Sequence, residues 1–229
     1  MVASSHINAG VLEQLRLEAL PTVAREAFKR CIITPFFSSG GWYLAGGTAL
    51  ALQAGHRQSV DLDFFTPEKS FDEKKIVEQL STTGKWETDS LDRGTVYGRL
   101  LGAKMSLIAY PFFDPAESVL KIGSVSILTP PDIAAMKIAA ISQRGKKRDF
   151  VDLYWISKNI QPLKESIRRA ERHYRVKQNP NHILKSLVYF VDAEDDPMPT
   201  LFFNASWGNI KKFFQEETKK IARELLGLD

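Results

Sequence analysis

The chain has 229 residues, 44% of them hydrophobic and 25% charged, with a formal net charge of +4 at pH 7. That composition suits a globular chain with a substantial core and excludes disordered, collagenous or disulfide-stapled classes. With one cysteine, Cys31, no secretory signal pattern and no apolar run of membrane-spanning length, a cytoplasmic protein with no membrane partner is expected.

In chain order, apolar residues at helical spacing predict a helix over Ala9 to Cys31, broken or kinked at Pro21. Trp42–Ala45 reads as a short buried strand. Gly46-Gly47 then turns the chain into a helix over Thr48–Gln53, closed by Gly55. The next strand is Val60–Phe65, followed by an amphipathic helix capped by Asp72 and reaching Thr82. Strands are expected at Trp86–Leu91, Thr95–Leu101 and Lys104–Tyr110, with tight turns at Asp92-Arg93-Gly94 and Gly102-Ala103. A last short strand, Val125–Leu128, precedes Pro130-Pro131.

Beyond those prolines the pattern is helical. Helices are expected at Asp132–Gln143, Asp149–Asn159, Leu163–Val176, Pro180–Val191 and Asn209–Leu226, with a loop over the acidic stretch Asp192–Asp196. The expected fold class is α/β in the α+β sense. A small mixed sheet with flanking helices would occupy residues 1–129, and a C-terminal helical region residues 130–229.

The net charge conceals an asymmetry. Residues 137–185 carry thirteen Lys and Arg against four Asp and Glu, while the stretches on either side are slightly acidic. A basic middle suits contact with a polyanion, and it equally suits solvated helix faces.

The most informative segment runs from Gly46 to Phe65. Glycines directly before a helix let backbone N–H groups and the helix dipole face a phosphate, and Thr48 adds a hydroxyl there. In the following strand, alternation sends Asp61 and Asp63 to one face and Leu62 and Phe64 to the other. Neighbouring carboxylates repel, and a divalent cation relieves them; Mg²⁺ is typically held by one or two carboxylates plus substrate phosphates. Arg57 and Ser59 lead into the same strand, where they can touch the nucleotide, or Arg57 can form a structural ion pair with one aspartate. The pattern points to nucleotidyl or phosphoryl transfer. A second constellation comprises Lys137, Arg144, Lys146-Lys147-Arg148, Asp149 and Asp152, with Lys137 interrupting an apolar helix so that it either snorkels outward or meets a buried anion. The histidines His6, His56, His173 and His182 lack metal-ligand spacing, and neither a Walker loop nor a nucleophile elbow is present.

Three stretches together resemble the AbiEii/AbiGii-type abortive-infection nucleotidyltransferase family, over roughly residues 40–157. They are Gly46-Gly47-Thr48-Ala49-Leu50-Ala51-Leu52, then His56-Arg57, Ser59 and Asp61-Leu62-Asp63-Phe64-Phe65, and finally Asp132 to Lys137 with Arg144 and Lys147 to Tyr154. The resemblance implies a minimal mixed sheet of the polymerase-beta-type superfamily with an added helical region. It also implies that Gly46, Gly47 and Thr48 hold the triphosphate, that Asp61 and Asp63 hold Mg²⁺ or Mn²⁺, and that Lys137 and Asp149 complete the active site. It further implies an NTP substrate, tRNA or another RNA as acceptor, and a cognate antitoxin protein as partner.

In one respect the chain departs from the superfamily pattern, which adds a third carboxylate on a later strand. Ser106 stands at that place here, with Asp89, Asp114 or Asp149 as alternative acids. The expected function is therefore Mg²⁺-dependent nucleotide transfer from an NTP to an acceptor hydroxyl by a toxin of a toxin–antitoxin pair. The alternatives are nucleotidylation of a small molecule or protein, and a degenerate relative that binds nucleotide without turnover.

Overall fold

The computed structural model describes residues 12–116 and 119–227, which belong to two compact units, residues 1–129 and 130–229. Ala9 to Val11, where the expected first helix begins, and His6 lie outside the described residues.

In the first unit, helix α1 spans Thr22–Ile33 and starts directly after Pro21. Proline has no N–H to give and a fixed φ suited to a helix start, so it begins this helix rather than kinking a longer one. Residues Leu17–Ala19 form a separate 3-10 turn. Strand β1 (Tyr43–Ala45) leads into α2 (Gly46–Ala54), and Gly55 closes α2 in the left-handed conformation at φ 62°. Then come β2 (Leu62–Thr66), α3 (Glu73–Ser81), β3 (Trp86–Asp92), β4 (Thr95–Leu100), β5 (Ala103–Ala109), β6 (Leu120–Ile122) and β7 (Val125–Ile127). Asp72 caps α3 through the Lys75 amide, as its sequence position implies.

All seven strands form one mixed sheet in the order β3-β4-β5-β2-β1-β7-β6. The β2–β5 and β1–β7 pairs are parallel, and the other neighbours run antiparallel. Strict alternation gives the sheet two unlike faces. Leu62, Phe64, Met105, Leu107, Val96 and Leu100 are buried on one face, where α1 and α3 pack. Asp63, Phe65, Ser106, Ile108 and Arg99 on the other face keep partial exposure, and Tyr97 is 41% exposed.

Two strand expectations also change in this unit. Strand β2 begins at Leu62 rather than Val60, and Val60 is 50% exposed. The backbone of the preceding segment is engaged elsewhere: the Ser59 amide bonds the Ala19 carbonyl at 3.0 Å, and the Asp61 carbonyl accepts from the Thr48 hydroxyl. Strand β6 was not expected. It is only three residues long and depends on a hairpin at Gly123-Ser124, where Gly123 has φ 56° and the Ser124 amide bonds the Ile32 carbonyl.

The second unit is helical: α4 (Pro130–Gln143), α5 (Lys147–Asn159), α6 (Leu163–His173), α7 (Pro180–Ser186), α8 (Val191–Glu194) and α9 (Trp207–Leu225). Its aromatic centre is Phe150, with ring centroids 5.2 Å from Phe190, 5.8 Å from Trp207 and 5.3 Å from Phe214. The expected Pro180–Val191 helix breaks at Ser186, because Phe190 turns inward to join this cluster. The expected acidic loop instead begins with the single turn α8, whose first residues suit a helix N-terminus.

The acidic stretch has a structural task. Lys146 at the N-cap of α5 makes no side-chain cap, and Asp196 Oδ2 accepts from the Lys147 amide at 3.0 Å in its stead. Lys147 Nζ donates to the Glu194 carbonyl at 3.0 Å and sits 5.3 Å from the Trp207 ring centroid, while Glu194 takes Lys211 at 2.7 Å. Burial raises the Asp196 carboxyl, but the Lys147 amide and the Lys146 ammonium outweigh it and hold it below the usual aspartate range. A depressed folded pKa means stability present above the ordinary aspartate range and lost as pH falls through the folded value. Asp196→Ala should therefore cost about 1 kcal/mol at neutral pH, a Tm loss of roughly 2–4 °C in thermal melts. The deficit should shrink as the melts are taken to acid pH.

Candidate active site

The start of α2 is shaped by three residues that follow β1. Gly46 has φ 69°, a conformation that disfavours any side chain, and a Cβ there would lie 3.6 Å from Asp63 Oδ2. Gly47 is required for space: a Cβ would strike the guanidinium of Arg57, with Cζ 3.1 Å away and Ser59 Oγ at 3.3 Å. Thr48 is 2% exposed, and its hydroxyl donates to the Asp61 carbonyl and lies 2.9 Å from Ser59 Oγ. Gly46, Gly47, Thr48, Arg57, Ser59, Asp61 and Asp63 thus gather around one helix N-terminus.

Arg57 is 4% exposed, and its Nη1 donates to the Gln58 carbonyl at 2.9 Å. A buried guanidinium at the first turn of a helix adds positive charge where the helix dipole is already positive, which is unfavourable without an anion nearby. Asp61 and Asp63 are both half-buried.

The register across β2 and β5 places Ser106 opposite Asp63, and the Ser106 hydroxyl donates to Asp63 Oδ1 at 2.8 Å. The position where the family resemblance implies a further acid therefore holds a neutral donor that orients Asp63. Asp89 does not serve as a neighbouring-strand substitute. It lies on β3, three strand spacings or about 14 Å from β2, and pairs with Arg99 at 3.6 Å on the surface. Asp114 is exposed beyond the end of β5. Among the described residues, no group of three or more Asp, Glu, His or Cys side chains is arranged to hold a metal. Two half-exposed carboxylates offering oxygen only do suit a hard cation such as Mg²⁺ or Mn²⁺ whose remaining ligands come from phosphates and water.

Lys137 and Asp149 meet within the helical unit. Lys137 Nζ lies 2.7 Å from Asp149 Oδ1 and 2.6 Å from Asp152 Oδ2, with both carboxylate side chains fully buried. Arg144 Nε stands 3.5 Å from Asp149 Oδ2. The lysine does not snorkel. It joins α4 to α5 by neutralising two carboxylates one helical turn apart on α5. The role of Asp152 as the second partner was not assigned from sequence, although its i+3 spacing from Asp149 carried the signal.

Two outcomes follow for these clusters. Gly47→Ala should cost about 1–3 kcal/mol by overpacking against Arg57, and the loss should shrink in an Arg57→Ala background, as a double-mutant cycle by denaturant melts would measure. Lys137→Ala should cost roughly 3–5 kcal/mol, because it leaves two like charges buried together. Chemical denaturation of the variant checks this.

Comparisons with known proteins agree with the geometry. The chain matches the model of the nucleotidyl transferase AbiEii toxin family, type IV toxin–antitoxin system, over residues 32–93 and 107–225. It is 38% identical over 185 residues to an uncharacterised protein of Aquifex aeolicus, covering 78% of this chain and 87% of that one. Its fold resembles MenT4, a nucleotidyltransferase toxin of Mycobacterium tuberculosis, with a TM-score of 0.58 at 14% identity over 93% of this chain and 89% of the other. It also resembles JHP933 of Helicobacter pylori, with a TM-score of 0.51 at 19% identity over 91% and 97% of the two chains. Among the described residues no helix is long and apolar enough to cross a membrane. With the family model matched over residues 32–93 and 107–225, and a glycine-opened helix start beside the Asp63 carboxylate, the chain belongs to the AbiEii family of nucleotidyltransferase toxins.

Proposed function

We propose that this toxin moves a nucleotide from an NTP to an acceptor hydroxyl on RNA, tRNA foremost, and that a cognate antitoxin protein restrains it. One observation carries the reading: the Asp63 carboxylate and the buried Arg57 guanidinium converge on the glycine-opened N-terminus of α2. Positive dipole, cation and free backbone amides suit a triphosphate, while the carboxylates suit what neutralises it.

In this reading the amides at Gly46 and Gly47 and the Arg57 guanidinium hold the triphosphate. Ser59 and Thr48 keep the Arg57–Asp61 segment against the helix. Asp61 and Asp63 would hold Mg²⁺ or Mn²⁺, which supplies charge neutralisation on the phosphates. The acceptor oxygen attacks the α-phosphorus, pyrophosphate departs, and the acceptor's proton passes to a carboxylate or to a phosphate oxygen of the substrate. Lys137 and Asp149 stand as catalytic candidates on the family resemblance. The basic stretch 137–185 would attract the acceptor's backbone, so RNA affinity should fall steeply with salt.

A second reading, a nucleotide binder without turnover, is favoured by Ser106 standing opposite Asp63 where the superfamily pattern places an acid. Incubating the protein with each α-labelled NTP, Mg²⁺ and total RNA separates the two. We expect label in RNA, reduced about a hundredfold or more in Asp63→Ala, since charge stabilisation of this kind is worth several kcal/mol. Label in a protein or small molecule would reassign the acceptor. NTP binding without any transfer would establish the degenerate reading.

A further inference from the structure

The open face of the sheet carries a row of aromatic rings next to the Asp63 carboxylate. Phe65 follows Asp63 by two residues on the same face, about 6.8 Å along β2. Its ring stacks on Tyr43 across β1 at 6.1 Å, with 24° between the planes. On the other side it meets Tyr110 edge-on at 5.5 Å, and Tyr110 meets Phe112 edge-on at 5.8 Å. The row grades from buried to open: Tyr43 is 3% exposed, Phe65 and Tyr110 are half-buried, and Phe112 is 52% exposed. Tyr97 extends the same face opposite Ser106, at 41% exposure.

Ordinary core packing does not account for this row. The opposite face of the same strands is fully buried, with Leu62, Phe64, Met105 and Leu107 at 2% exposure or less. On the open face Phe65 and Tyr97 share their strands with Asp63 and Ser106, while Arg99 and Lys104 lie beyond Ser106 at the end of β5 away from Tyr110. Partly exposed flat rings are what single-stranded nucleic acid and nucleotides use to stack their bases.

We propose that Phe65, Tyr110 and Phe112 form a nucleobase-stacking platform beside the catalytic carboxylates, taking the base of the incoming NTP or of the acceptor's terminal nucleotide. The proposal rests on the nucleotidyltransferase reading and adds the site that receives the base. Stacking is tolerant of base identity, so this platform favours nucleotides over bare polyphosphate without selecting one base strongly. Tyr43 anchors the row from the buried side, and Tyr97 offers a further ring across Ser106.

The test uses the full chain with Mg²⁺ and two ligand pairs. The first compares an NTP with inorganic tripolyphosphate by calorimetry. The second compares a short single-stranded RNA with the same RNA made abasic at its 3′ nucleotide, by fluorescence anisotropy. Each pair differs in the base, so its ratio isolates the platform from the phosphate site. Wild type should prefer the base-bearing member of at least one pair by roughly tenfold or more. Phe112→Ala and Tyr110→Leu should erase that preference, and Tyr110→Phe should keep it because the ring remains.

Loss in the NTP pair assigns the platform to the donor, and loss in the RNA pair assigns it to the acceptor. Equal ratios in wild type and both variants overturn the proposal. So does a shift from dimer to monomer in Phe112→Ala with both ratios unchanged, which would make the face a self-association surface. Failure of tripolyphosphate and NTP alike to bind contradicts the nucleotidyltransferase reading instead, and the RNA pair then still decides the platform. Phe112 is exposed enough that its removal should leave Tm within about 1–2 °C of wild type.

Discussion

Much of the candidate site depends on one buried hydroxyl. Thr48 sits in the first turn of α2, and it ties the carbonyl of Asp61 to that turn. A buried carbonyl costs free energy unless it is paired, so this bond fixes the path of the segment that enters β2. From that path the rest follows. Ser59 lands beside Thr48, Arg57 lies over Gly47, and Asp63 comes to rest next to Gly46. The two glycines are then determined by their neighbours, one by its positive φ and the other by the guanidinium above it. The motif is a set of mutual steric and hydrogen-bonding requirements, which is why its residues occur together at fixed spacing.

Across the sheet, Ser106 makes the corresponding choice for Asp63. A third carboxylate at this register would repel Asp63, and a metal would have to be present to hold both. A hydroxyl instead donates to Asp63 and orients it without ligand. The helical unit solves a similar problem differently, with Lys137 placed between Asp149 and Asp152. There the two acids are fully buried, and only a cation between them makes their burial tolerable.

The parts of the fold legible in the sequence were those with strong local signals. Strict alternation marked β4 and β5, the Asp72 cap marked α3, and Pro130-Pro131 marked the change to helices. The first helix was misread where Pro21 begins it, and the other misread elements depend on partners distant in sequence. Strand β6 depends on a turn packed against Ile32, and the start of β2 on the hydroxyl of Thr48, thirteen residues before Asp61. The break after Ser186 depends on Phe190 joining Phe150 and Trp207. For the site, the residue types around the glycines were readable because their spacing is short. The Asp63–Ser106 bond and the aromatic row were not, since both need the parallel β2–β5 register, which joins positions more than forty residues apart.

In the proposed function the N-terminus of α2 receives a triphosphate beside Asp61 and Asp63. A crystal structure with a non-hydrolysable NTP and Mn²⁺ tests it most directly, because manganese reveals its position by anomalous scattering. We expect an anomalous peak within about 2–2.5 Å of carboxylate oxygens of Asp61 and Asp63, with phosphates on the amides of Gly46 and Gly47. Phosphates bound elsewhere, with no peak at these carboxylates, would contradict it.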